Sequence, residues 1–233
     1  VSRVPAALVV LAGAAFIASA FLTPPFRGYD PAMMPVEAGN PLVQPAGFAF
    51  AIWGPIYLWF IAHAGFGLMA RSDAADWAAH RPALIASLTL GAGWLPLAHA
   101  SPLGATGLIW VMLGTALAAL ARAPGRDFWL ARVPLGLYAG WLTAAANVSL
   151  GVVLQGWGLL GETAAALAGL ALATGVAAVA LTRLRAGPAY AVAAGWGFFG
   201  IAVKAAEQSL PVTLAAAAGI AALAALAFAT RRL

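Results

Sequence analysis

Charge is nearly absent from this chain, and that decides which solvent it can fold in. Twelve Lys or Arg and seven Asp or Glu are spread over 233 residues, so 8% are charged while 64% are hydrophobic. A soluble domain carries about 25% charged residues, and a water-facing surface cannot be built from so few. Most side chains must therefore meet lipid or one another. In hydrocarbon a helix satisfies its own backbone polar groups. The sequence thus predicts an all-α, polytopic helical membrane protein with the lipid bilayer as its first partner. It excludes a soluble enzyme, a disordered chain and a nucleic-acid reader, since the +5 net charge forms no basic stripe that could track phosphates. With no Cys, disulfides, thiolate metal sites and thiol chemistry are excluded as well.

A crossing helix needs about 20 mainly apolar residues. Pro, Gly and charge divide the sequence into eight such stretches, near residues 5–22, 47–70, 82–100, 104–121, 131–154, 161–182, 188–206 and 211–230. The thinnest divisions fall at Ser101-Pro102, with no charge between two spans, and at Leu210-Pro211; they leave a count of seven open. Arg3, an apolar run and Ala18-Ser19-Ala20 also have the pattern of a cleavable leader. The reading favoured is an uncleaved first helix. Eight spans place Arg3, Arg71, Arg81, Arg122, Arg126, Arg132, Arg183, Arg185, Arg231 and Arg232 on one side, and Arg27 and Lys204 on the other. That bias puts both termini in the cytoplasm, with a bacterial inner membrane as the expected setting. The longest connection, residues 23–46, then lies outside. Its six prolines (24, 25, 31, 35, 41 and 45) and two acids, Asp30 and Glu37, predict an irregular loop or lid.

Small residues let helices approach closely in lipid. Gly136 and Gly140 make a GxxxG pair on the fifth span. Gly195, Gly197 and Gly200 match GxGxxG in form, but inside an apolar span with no preceding strand they read as helix packing. Lys204 is the one lysine, and Glu207 lies three residues on, so an interfacial ion pair is expected there. A retinal Schiff base would need a carboxylate counter-ion, and no other span carries an acid in its middle. His63, His80 and His99 are assigned to an inner half-span, a cytoplasmic loop and an outer helix end; at different depths they do not make an axial pair. No metal, hydrolytic or phosphate motif is visible, and no catalytic residue is assigned. Nine Trp are the main signal. Trp77, Trp129 and Trp157 fit an interfacial belt. Trp53, Trp59, Trp94, Trp110, Trp141 and Trp196 lie within spans, where indoles either pack or line a cavity for a large planar molecule.

The second span opens Pro45-Ala46-Gly47-Phe48-Ala49-Phe50-Ala51-Ile52-Trp53-Gly54-Pro55-Ile56-Tyr57. This resembles the second helix of the TspO/MBR family, the translocator or tryptophan-rich sensory proteins, with its P-P-G-W-V-F-G-P-V-W-T-x-x-Y motif. With one residue skipped, Pro45, Gly47, Phe50, Trp53 and Tyr57 match and Phe48 replaces the first Trp. Without a gap, Gly54-Pro55-Ile56-Tyr57 falls on G-P-V-W. Gly91-Ala92-Gly93-Trp94-Leu95-Pro96-Leu97 is similar to the family's N-x-x-W-x-P-L, with Gly91 in place of Asn. Pro134, Tyr138, Trp141 and Asn147 resemble its P-Y-x-x-W…N helix at shorter spacing.

The resemblance covers residues 1–154 and implies a five-helix membrane domain with a ligand site beneath the first loop. Residues 155–233 would add three further transmembrane helices. It implies a receptor or carrier, not an enzyme, that binds a porphyrin, another tetrapyrrole or a planar apolar molecule, or holds a lipid. The site residues carried over are Phe48, Phe50, Trp53, Tyr57, Trp94, Trp141 and Asn147, with Asn147 as the polar handle. Light-driven porphyrin breakdown, a small-solute transporter and an assembly subunit of a larger membrane complex, with or without pigments, stand as alternatives. The small-residue faces would allow a homodimer or a membrane-complex partner, although tight internal packing would use the same residues.

Overall fold

Each predicted span forms a helix. The computed structural model describes residues 3–36 and 40–230; Glu37, Arg231 and Arg232 lie outside the described residues. Helix α1 covers Val4–Leu22. A 3-10 segment, Gly47–Ile52, runs into α2, Trp53–Met69. One short turn, α3 (Ala75–Ala78), precedes α4 (Arg81–Ala100). Then come α5 (Pro102–Ala121), α6 (Phe128–Gly156), α7 (Glu162–Arg183), α8 (Pro188–Ala205) and α9 (Leu210–Thr230). Among the described residues, seven of the long helices are long and apolar enough to cross a membrane, and α8, whose 18 residues include Lys204, is not among those seven. Leu11, Leu58, Val192 and Leu214 point outward and exposed, so the outer faces are as apolar as the inner ones, as expected of helices bathed in lipid. A single residue parts α4 from α5. Ser101 is extended, its hydroxyl accepts from the Gly104 N–H at 3.0 Å, and Pro102 takes the first helical position, where no N–H is needed.

Two prolines sit inside helices, and each leaves a carbonyl without its usual intrahelical donor. Pro96 frees the Ala92 carbonyl in α4, which accepts from Ser19 Oγ of α1 at 2.6 Å. Pro134 frees the Leu130 carbonyl in α6, which accepts from His63 Nδ1 of α2 at 2.7 Å. A neighbouring helix supplies the missing donor both times, which is what makes a proline tolerable at membrane depth.

Helix α6 is the hub, packing on α2, α5, α7 and α8; α9 closes over α7 and α8, and α1 lies on α2 and α4. The GxxxG pair works inside the protein. A Cβ on Gly140 would run into the Tyr190 carbonyl of α8, and one on Gly136 would lie 3.2 Å from the Tyr190 nitrogen. On α8, Gly197 meets Ala144 and Gly200 meets Ala49, whereas Gly195 faces open space.

The arginine-rich end is tied together by ion pairs. Asp127 caps the start of α6 at φ 56°, and its carboxylate accepts from Arg71 at 2.7 Å and from Trp77 Nε1 at 3.1 Å. The Arg71 guanidinium beside it holds that carboxyl below the usual range. Arg126 pairs with Asp76 at 2.8 Å, and Arg132 donates to the Arg185 carbonyl at 2.7 Å. Arg81 is buried and donates to the carbonyls of Gly67, Arg71 and Ser72 at the end of α2. Three expectations change here. Trp77 is fully buried and stacks on His63 at 5.1 Å, so it is no belt residue. His80 is not in an open loop: it is buried, with Nε2 3.3 Å from His63 Nε2, because α3 folds back under α2. Lys204 does not pair with Glu207 among the described residues; its ammonium donates to the Pro41 carbonyl of the first loop at 3.2 Å.

Candidate ligand-binding site

Beneath the first loop the helices enclose an aromatic cavity of about 350 Å³, within the ~300–1,000 Å³ range of small-molecule sites. Helix α1 lends Phe16, and the start of the second span lends Phe50, Trp53 and Tyr57. In a 3-10 helix residues three apart share a face, so Phe50 and Trp53 turn the same way. Trp53 and Tyr57 are one α-helical turn apart and stack at 5.3 Å and 23°. Trp141 of α6 stands nearly perpendicular to Trp53 at 6.2 Å and to Phe50 at 5.8 Å. Phe16 puts its edge on both Trp53 and Tyr57. Gly91 of α4 makes room for it, since a Cβ there would lie 2.7 Å from the Phe16 ring. The position that resembles a family Asn is thus a gap filled by an aromatic ring.

The first loop forms the roof through Phe26, Tyr29, Gln44 and Pro45. Phe26 lies edge-on to Trp94 at 5.1 Å. Tyr29 Oη and Ser149 Oγ of α6 are 2.6 Å apart. Burial pushes the Tyr29 phenol up, against the opposing pull of its hydroxyl partners, so it stays protonated at neutral pH.

Five of the seven residues singled out in the sequence line this cavity: Phe50, Trp53, Tyr57, Trp94 and Trp141. Phe48 does not. The three-residue period of Gly47–Ile52 turns it away from Phe50, onto Trp196 at 5.6 Å and Phe199 at 5.8 Å of α8. Asn147 does not either. Six residues after Trp141, it falls on another face of α6, near Gly169 of α7, and is 1% exposed. Its Nδ2 donates to the Thr143 carbonyl at 2.8 Å, and its Oδ1 has no partner among the described residues. Sequence reasoning missed Phe16, Phe26, Tyr29 and Ser149. Phe26 and Tyr29 belong to the loop already read as a lid, and that was their one signal; Ser149 gave none.

The cavity's polar groups are few, and none of its described lining side chains is charged. The indoles divide instructively. Trp59, Trp77, Trp94 and Trp196 donate to protein oxygens at 2.8–3.1 Å. Trp53 and Trp141 donate to none among the described residues, as is true of Trp110, Trp129 and Trp157, but of these five it is Trp53 and Trp141 whose rings line the cavity. A buried indole N–H normally finds a partner, so this site offers two unused donors against an apolar wall. Among the described residues no group of three His, Asp or Glu could hold a metal.

The family model for TSPO-like protein matches residues 6–229. The motifs quoted above end by residue 154, so the match extends through the last three helices. No curated protein and no solved structure matches the chain. With a lidded, Trp-lined cavity in a helical membrane bundle, and a match over nearly its whole length, the chain belongs to the family of TSPO-like proteins.

Proposed function

We propose that this membrane protein is a receptor or carrier for a planar, apolar ligand of the tetrapyrrole kind, held under the first loop. The observation that carries the reading is the pair of unpartnered indole donors, Trp53 and Trp141, set at 81° in an otherwise apolar cavity. Such a site matches a flat hydrophobic body with acceptor oxygens or nitrogens at its edge. Phe50, Trp53, Trp94 and Trp141 would face the ring. Charged substituents would have to reach past the roof toward Arg27, because the described lining holds no cation. The reading is one of binding and release; no bond is made or broken in it. Both termini are read as cytoplasmic; the arginines gathered past the end of α2 and around the starts of α4 and α6, opposite Arg27 and Lys204, support that orientation.

The test is a titration of protoporphyrin IX into detergent-purified protein, followed by Trp fluorescence. The parent should show saturable quenching at about micromolar ligand, and Trp53→Phe and Trp141→Phe should each weaken binding roughly five- to tenfold through loss of one hydrogen bond. Linear, unsaturable quenching that is equal in all three proteins would sink the reading and leave the assembly-subunit role as the stronger one.

A further inference from the structure

The roof of the cavity is fastened unevenly. Its second half is built into the α6–α8 side. Met34 packs against Gly156, where a Cβ would overlap its sulfur, and the Val36 N–H donates to the Gly156 carbonyl at 2.9 Å. Val43 is buried between Gly151 of α6 and Gly169 of α7, at 3.1 and 3.3 Å from where their Cβ atoms would be. The Lys204 ammonium holds the Pro41 carbonyl, and the Ala46 N–H donates to Gly200 at 3.0 Å. The first half, residues 23–30, has lighter ties: the Thr23 N–H donates to the Ser19 carbonyl at the end of α1, His99 Nε2 donates to the Pro24 carbonyl at 3.0 Å, Gln44 Nε2 of the fixed half donates to the Arg27 carbonyl at 2.9 Å, Phe26 leans on Trp94, and Tyr29 meets Ser149.

The Tyr29 contact has a direction. Thr106 Oγ1 of α5 donates to the Pro102 carbonyl at 2.8 Å and lies 2.6 Å from Ser149 Oγ. A carbonyl only accepts, and each hydroxyl has one proton. With the Thr106 proton committed to Pro102, Ser149 donates to Thr106 and Tyr29 donates to Ser149. A one-way chain of hydroxyls therefore runs from the roof into α5, each bond polarising the next. Among the described residues it is the hydrogen bond from a roof side chain of the first half into the helices that line the cavity.

We propose that Tyr29 is the latch of this lid. Its phenol keeps residues 23–30 closed over the cavity. Its release, while residues 40–46 stay clamped to α6, α7 and α8, is the step that admits and frees ligand. The inference rests on the ligand-binding reading of the cavity, and it assigns α7 and α8 a task, which is to help anchor the fixed half of the roof.

Cysteine labelling of the full chain in lipid nanodiscs, without ligand, tests the latch by itself, because the chain has no cysteine of its own. A cysteine on the cavity wall, Ala145→Cys, should react with a water-soluble maleimide roughly five- to tenfold faster when Tyr29→Phe or Ser149→Ala is added, the effect of one lost hydrogen bond on opening. A cysteine under the fixed half, Val43→Cys, should react no faster. Unaltered labelling of the cavity cysteine in the conservative Tyr29→Phe background, or equal acceleration at both positions, would overturn the proposal. Stopped-flow mixing with protoporphyrin IX adds a second readout. A latch predicts that association and dissociation both quicken in Tyr29→Phe; faster dissociation alone would make Tyr29 a mere ligand contact and reject the latch. If the parent binds no porphyrin, the ligand reading fails while the labelling experiment still decides the lid.

Discussion

At Gly140 one missing Cβ sets how closely α6 and α8 approach, because the Tyr190 carbonyl fills the space a larger residue would need. Overpacking a site with backbone on the other side forces the helices apart and costs about 1–3 kcal/mol. Gly140→Val should accordingly lower thermal stability in detergent by several degrees, whereas Gly195→Ala, with open space around it, should stay within about 0.5 kcal/mol of the parent. Equal losses would mean that α8 does not lie where its contacts place it. The same residue-level reasoning explains what the sequence could and could not reveal about the cavity. Trp53, Tyr57, Trp94 and Trp141 were legible because motif spacing and helical period agree on where they point. Phe48 was misassigned because the period changes from 3.6 to 3.0 residues per turn within a few residues, and an apolar run gives no sign of that change. Asn147 was carried over as a ligand handle by the family resemblance, yet it lies near Gly169 of α7.

Helix boundaries were legible as well, since apolar runs end at Pro, Gly and charge. What the sequence hid at the scale of elements was how the helices bond to one another. Pro96 and Pro134 announce two broken ladders, but Ser19 and His63, their remedies, lie 73 and 67 residues from the carbonyls they serve. The α1–α4 pair offers a clean test. Ser19→Ala strands the Ala92 carbonyl and should cost about 1 kcal/mol. In a Pro96→Ala background the restored backbone N–H takes that carbonyl, and the same substitution should cost close to nothing. A thermodynamic cycle of the four proteins measures the coupling; strictly additive effects would show that the proline and the serine act independently. His80 and Trp77 teach a related lesson. Read along the chain they belong to a polar connection, but α3 folds that connection back under α2 and buries both.

For the molecule as a whole, the two ends differ in kind. Ion pairs and a buried guanidinium bind one end, while the other is roofed by a proline-rich loop over an aromatic cavity. Since the chain has no cysteine, its orientation can be read by single-cysteine labelling in intact cells. A membrane-impermeant maleimide should reach Arg27→Cys and leave Arg122→Cys unlabelled until the cells are lysed; the opposite pattern would invert the topology. Chain order, independently of orientation, sets which helices reach the bilayer first. During synthesis from the N-terminus, Ser19 is inserted before the helix interrupted by Pro96, and His63 before the helix interrupted by Pro134. In both pairs the donor is already in place when the defective acceptor helix arrives. The nascent chain thus never has to hold a bare carbonyl in hydrocarbon while waiting for a later segment, and a circular permutant that reversed either order would leave the insertion machinery with a helix it must shelter.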